Sequence, residues 1–280
     1  ERLPTNLRDH PRVLAVLEAA RQRAAEVAAR EQAERILARI NPRAAPATRR
    51  AQVEEALRVA PQSVRALLLA ARLAEIEGLA RAKQVPARAA LAEALRLAYQ
   101  AESCAPQSPD VALTLGLLRL RAGDSSAKTS FRDAHKLGPH TLSGRIARGE
   151  LALLEGSPRA AENAFESALS LSDSDPRALR GRGEARRRLG LLAEARADAI
   201  AASAGDPWNV DARLLQARIA LGTGGDWRPL NKTARGEFDA AIAAARRLFP
   251  SEPNALALTA LLRIRLNTEG DLEAKEPERR

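Results

Sequence analysis

Aromatic residues are scarce: four Phe, two Trp and one Tyr make up 2% of 280 residues. Alternating runs of Val, Ile, Thr and aromatics are missing too, which removes the usual signal for strands. There is one cysteine, Cys104, so no intrachain disulfide can form. That fits a reducing, cytoplasmic setting, with a periplasmic one as the alternative if a signal or anchor lies elsewhere. His10, His135 and His140 have no second ligand at a metal-binding spacing, so no metal site is expected. Gly-rich phosphate loops, HExxH and GxSxG are absent, so neither catalysis nor a bound cofactor is expected. No apolar run approaches the roughly 18 residues of a membrane span, and no signal-peptide pattern opens the chain. Methionine is missing altogether and the first residue is Glu1. The expectation is a piece of a longer protein.

What the chain does have is Ala and Leu, which carry nearly all of the 45% apolar share, together with abundant Arg and Glu. All four are strong helix formers. The chain reads as all-α. Its net charge of +10 invites a nucleic-acid or anionic-surface reading. The excess is spread along the chain, mostly as Arg on helices, which favours a solvated surface over nucleic acid.

The organising feature lies in Leu142 to Asn209, where one pattern occurs twice, 34 residues apart. Gly149, Gly156, Ala161 and Ala168 become Gly183, Gly190, Ala195 and Ala202. One step earlier, Ala127, Phe131, Ala134 and Leu137 precede Ala161, Phe165, Ala168 and Leu171 by the same interval. A fixed period of this size marks a solenoid, whose repeats bury surface only against their neighbours. The clearest units are 109–141, 142–175 and 176–209. Irregular ones cover 13–61, 64–108 and 210–250, followed by a capping helix at 254–266 and a flexible tail at 267–280. The stretch 13–40 is helical, as one long helix or two short ones. Insertions are expected near 80–86, around Pro106 and Pro109 at 102–110, and from Gly222 to about Ala234.

These residues resemble the tetratricopeptide repeat. The match reads Leu115-Gly116, Gly123, Ala127, Phe131, Ala134 and Pro139, then Gly149, Gly156, Ala161, Phe165 and Ala168, then Gly183, Gly190, Ala195, Ala202 and Pro207. The small residues let paired helices approach, Phe165 fills the gap to the next repeat, and Gly156 permits a tight turn. The early Trp and Tyr positions of the family hold mostly Ala, Leu or Arg here. The resemblance implies a right-handed α-solenoid of about six antiparallel helix pairs.

It also implies a ligand groove on the concave face, lined by the first helix of each repeat. In this register the lining is Arg65, Leu68, Arg72, Leu113, Leu117, Ile146, Glu150, Arg177, Arg180, Glu184, Arg187, Leu214 and Arg218. Arginine presents a planar fork suited to carboxylates, which points to an acidic or amphipathic peptide segment. The alternative is that these arginines only solvate an exposed face. A chaperone-type carboxylate clamp is excluded, because its Lys and Asn places hold Ile146 and Glu150 or Arg180 and Glu184. Arg186-Arg187-Arg188 reads either as an anion site or as cations favoured at a helix C-terminus. Trp208, after a proline at a repeat junction, reads as a packing residue. Trp227 sits in an insertion and reads equally as a contact or as cover for the core edge. The expected function is a non-catalytic scaffold or adaptor that binds another protein. The alternatives are a regulatory or sensor region of a larger signalling protein, such as a kinase, and a basic nucleic-acid binder.

Overall fold

The computed structural model describes residues 11–81, 91–222, 232–248 and 259. Twelve helices occupy these residues: α1 Pro11–Ala38, α2 Pro46–Val59, α3 Val64–Arg81, α4 Ala92–Cys104, α5 Pro109–Arg121, α6 Ala127–Leu137, α7 Leu142–Leu154, α8 Pro158–Leu169, α9 Pro176–Arg188, α10 Leu192–Gly205, α11 Val210–Leu221 and α12 Lys232–Leu248. Each odd helix packs against the even helix that follows it, giving six consecutive pairs. From α3 onward the odd helices also touch one another in sequence: α3 with α5, α5 with α7, α7 with α9, α9 with α11. They form the inner layer of a solenoid and the even helices the outer one.

Local chemistry sets this register. Ser108, Thr141, Asp175 and Asn209 sit one repeat apart and cap α5, α7, α9 and α11 with their side-chain oxygens. Each satisfies an amide that the first helical turn leaves without a partner. The turns inside the central pairs carry Gly123, Gly156 and Gly190 at φ of 70°, 75° and 82°, a conformation that costs other residues a Cβ clash. Between layers, Phe165 lies flat on glycine. A methyl on Gly149 would stand 2.6 Å from its ring, and Gly181 of the next inner helix closes the other side. Phe131 meets Gly116 in the same way, at 2.6 Å. At the third equivalent position the residue is Ala199, and Leu215 and Ile219 of α11 fill the space instead.

Two segments differ from the sequence reading. Ala105 to Ser108 forms an ordinary junction between α4 and α5, so no insertion exists at 102–110: Pro109 starts α5 at its first turn, where a missing N–H costs nothing. Helix α12 begins at Lys232 rather than near Glu237, which shortens the irregular stretch. The choice between one helix and two at 13–40 resolves as one, α1. Residues 80–81 continue α3. The rest of the insertion near 80–86, Trp227, the helix at 254–266 apart from Thr259, and the tail at 267–280 lie outside the described residues.

The apolar core is not one column. One cluster joins Leu37 and Val53 with Leu73 near the start of the solenoid. A second fills the central pairs around Phe131, Ile146 and Phe165. A third runs from Leu67, Leu97 and Leu115 to Val210, Leu214 and Phe238, joining the second and third pairs to the sixth. Trp208 packs on that third cluster, as its sequence position suggested.

Candidate functional site

The curled inner layer encloses a cavity of about 1600 Å³, lined by residues of α1, α3, α5, α9 and α11, by Cys104 at the end of α4, and by the turns before α3, after α5 and before α11. Its walls follow helical stripes. Arg65, Leu68, Arg72 and Glu75 face it from α3; Asp110, Thr114, Leu117 and Arg121 from α5; Arg177, Arg180 and Glu184 from α9; Asp211, Leu215 and Arg218 from α11. Steps of three and four residues keep each set on one face of its helix. Leu69, Leu118 and Leu120 add apolar surface.

The charges are arranged in pairs. Arg65 bonds Glu34 of α1 at 2.5 Å. Arg72 bonds Glu75 at 2.5 Å and Asp206 at 3.2 Å. Arg121 bonds Glu75 at 2.7 Å and also Asp211. Arg177 closes on its own cap, Asp175, at 2.9 Å. Arg180 donates to Glu150, which lies buried beneath it on α7. Burial pushes the Glu150 carboxyl above its ordinary value against the pull of Arg180. Glu184 goes the other way. Burial would raise it, but hydrogen bonds and charge from Arg187 and Arg188 outweigh that and bring it to about 2. Asp211 is also held low: burial opposes this, and Arg121, Arg180, Arg72 and Arg218 overcome it.

Of the thirteen residues assigned to the groove from sequence, Arg65, Leu68, Arg72, Leu117, Arg177, Arg180, Glu184 and Arg218 line the cavity. Leu113, Ile146 and Leu214 do not, and their assignment is corrected: each is fully buried in the core. No residue of α7 lines the cavity, which removes Ile146; for Leu113 and Leu214 the reason is a phase error of one residue. The stripes run through Thr114 and Leu215, and a single step turns a side chain by about 100° around the helix. Glu150 is likewise no lining residue but the buried counterion of Arg180. Arg187 is drawn off the lining onto Glu184 at 3.0 Å.

The anion-site reading of Arg186-Arg187-Arg188 also falls. Arg186 bonds Glu162, Glu166 and Asp198 at 3.1, 3.2 and 3.0 Å, Arg187 and Arg188 share Glu184, and Arg188 donates to the Leu153 carbonyl at 2.7 Å. Sequence reasoning missed Glu75, Asp110, Asp206 and Asp211. Asp110 and Asp211 look like ordinary first-turn acids favoured by the helix dipole, and nothing local announces a partner 90 residues away. Among the described residues no cluster of His, Cys, Asp and Glu is arranged for a metal, and no helix is long and apolar enough to cross a membrane.

No family model matches the chain, and no curated protein does. Several solved structures are similar at low identity. One is the APC/C hetero-tetramer Cut9-Hcn1, at 16% identity and a TM-score of 0.49, covering 76% of this chain and 39% of that one. Another is TTC0263, a thermophilic TPR protein of Thermus thermophilus, at 23% and 0.46, covering 70% and 100%. A third is pilF of Pseudomonas aeruginosa, at 18% and 0.42, covering 85% and 97%. The present chain spans well under half of the Cut9-Hcn1 chain. By its own 34-residue register, its six consecutive helix pairs and its rings seated on glycine, the chain folds as a tetratricopeptide-repeat solenoid.

Proposed function

We propose that the chain is a non-catalytic interaction scaffold that takes a segment of a partner protein into the concave cavity. The observation that carries this reading is the cavity itself. Its volume exceeds the roughly 300–1,000 Å³ of ordinary small-molecule sites, and its walls mix leucine with paired charges instead of converging on a nucleophile and base. Such a surface suits an amphipathic segment, with apolar side chains on Leu68, Leu117 and Leu120 and carboxylates toward the arginines. Arg65, Arg72, Arg121, Arg177 and Arg180 already hold carboxylates of the protein, so a ligand carboxylate that lands on one of them exchanges with its present partner. The nucleic-acid alternative loses its best candidate, since the basic run on α9 is engaged in internal ion pairs. The proposal includes a cytoplasmic setting, where an exposed thiol such as Cys104 stays reduced.

The test compares proteins captured from cells of the native host by the wild type and by two variants. Leu117→Arg with Leu120→Arg places charge on the cavity wall. Ile200→Arg, at an exposed position on the outer helix α10, serves as control. The wall variant is expected to lose the specific partners while its helical circular dichroism persists, and the control to keep them. Equal capture by both variants refutes the groove.

A further inference from the structure

Two ion pairs among the lining residues cross from one wall of the cavity to another. Arg72 on α3 donates to Asp206 in the turn before α11, 134 residues away, at 3.2 Å. Arg121 on α5 donates to Asp211 on α11, 90 residues away. Inner helices otherwise pack mainly on their immediate neighbours in the layer, as nearest-neighbour stacking requires. These pairs therefore join the second and third helix pairs to the sixth and draw the solenoid shut. Beneath them runs the apolar cluster that joins the same regions, with Trp208 packed on it and its indole Nε1 buried without a partner. Glu75 sits between the two arginines and bonds both.

The two aspartates are bound as a peptide carboxylate would be bound, by guanidinium groups on a concave wall. We propose that the cavity is closed by a latch of its own: Asp206 and Asp211 occupy, on Arg72 and Arg121, the places that carboxylates of an incoming acidic segment take, and the segment enters by displacing them. The identity of the incoming segment rests on the groove reading above. The latch does not, because it is a property of the free protein. While the latch is closed, the competent state is a minor one, and apparent affinity falls by that fraction.

The test uses the chain with Trp227→Phe, which leaves Trp208 as the sole indole. Into it go Asp206→Asn and Asp211→Asn together. Glu75 still holds both arginines. The Trp208 backbone N–H, which donates to the Asp206 carboxylate at 3.1 Å, can donate equally to the amide oxygen that the substitution introduces. Small-angle scattering and Trp208 emission are read on the free protein. Binding is read with a fluorescent peptide alternating leucine and glutamate. The double variant is expected to show a larger radius of gyration, red-shifted emission, and peptide affinity raised about tenfold, with helical circular dichroism unchanged. An unchanged radius and emission overturn the latch whatever the peptide does. Opening with no peptide binding leaves the latch standing and removes the groove. If the double variant loses helicity, Asp206→Asn alone is read by the same criteria.

Discussion

The pairs α7–α8 and α9–α10 share one register and are held by different chemistry. In α7–α8 the wedge is a ring: Phe165, fully buried, sits between Gly149 and Gly181. In α9–α10 the ring position is Ala199, and carboxylates do the bridging. Asp198 of α10 takes Arg182 at 2.7 Å and Arg186 at 3.0 Å from α9, while Glu184 pairs with Arg187 and Arg188 within α9 itself. Helix α9 carries six arginines in Pro176–Arg188, yet it packs as an inner helix because its neighbours and its own Glu184 supply the countercharge. A repeat register thus fixes where helices meet without fixing what holds them. The difference also has a direction: the ring anchors one repeat to the next through dispersion and burial, whereas the ion pairs need both partners present to offset desolvation.

The contrast can be broken first at the ring. Phe165→Ala removes the wedge from two interfaces at once, and the two glycines beside it cannot fill the gap. A loss of about 4 kcal/mol is expected, read from urea melts by circular dichroism. Asp198→Ala strips the shared carboxylate from Arg182 and Arg186 and should cost about 3 kcal/mol in the same assay, the usual scale for orphaning a buried charge. Near-zero cost there would mean that Glu162 and Glu166 suffice for Arg186 and that α9–α10 is held by its alanines.

The third test is pH. The carboxyl of Glu184 titrates at 4.5 when free and at about 2 in the folded chain. A depressed carboxyl stabilises the fold above its unfolded value and loses that contribution as pH falls through its folded value. Glu184→Gln should therefore be less stable than the wild type by about 3 kcal/mol at neutral pH. The gap should close as pH drops from 4.5 toward 2. A gap independent of pH would show that Glu184 acts through shape. The smallest effect belongs to Gly190, whose turn lies between the two helices of the ionic pair. Its φ is 82° and open space surrounds the missing Cβ. Gly190→Ala thus costs only backbone strain, about 1 kcal/mol. A larger loss would mean that the turn, and not the ion pairs, limits α9–α10.

The architecture was legible because its signals are local and repeated. Gly156 and Gly190 punctuate the turns, and Phe131 and Phe165 recur against glycines on facing helices. The site was legible only in part. Arg65, Arg72, Arg177, Arg180 and Arg218 lie on the cavity wall, where steps of three and four residues along the inner helices put them. Leu113 and Leu214 failed because leucine looks the same on a groove wall and in a core, so nothing signalled the one-residue phase error, and Ile146 failed because α7 contributes no residue to the wall. The bridges from Arg72 and Arg121 were illegible in principle. They depend on how far the solenoid curls, and curvature accumulates from small rotations that no single repeat records.

Helix caps carry a consequence of another kind. Ser108, Thr141, Asp175 and Asn209 each stand immediately before an inner helix, one repeat apart, whereas the outer helices α6, α8 and α10 begin without a side-chain cap. Each of these four units therefore carries its own initiation mark at its own first boundary. Excising Leu142 through Asp175 would set Thr141 directly before Pro176, a cap still preceding a helix that still starts with proline. The chain can thus be lengthened or shortened by whole units without inventing a new junction. Copying errors in a gene for such a molecule would tend to yield folded variants with a different number of turns.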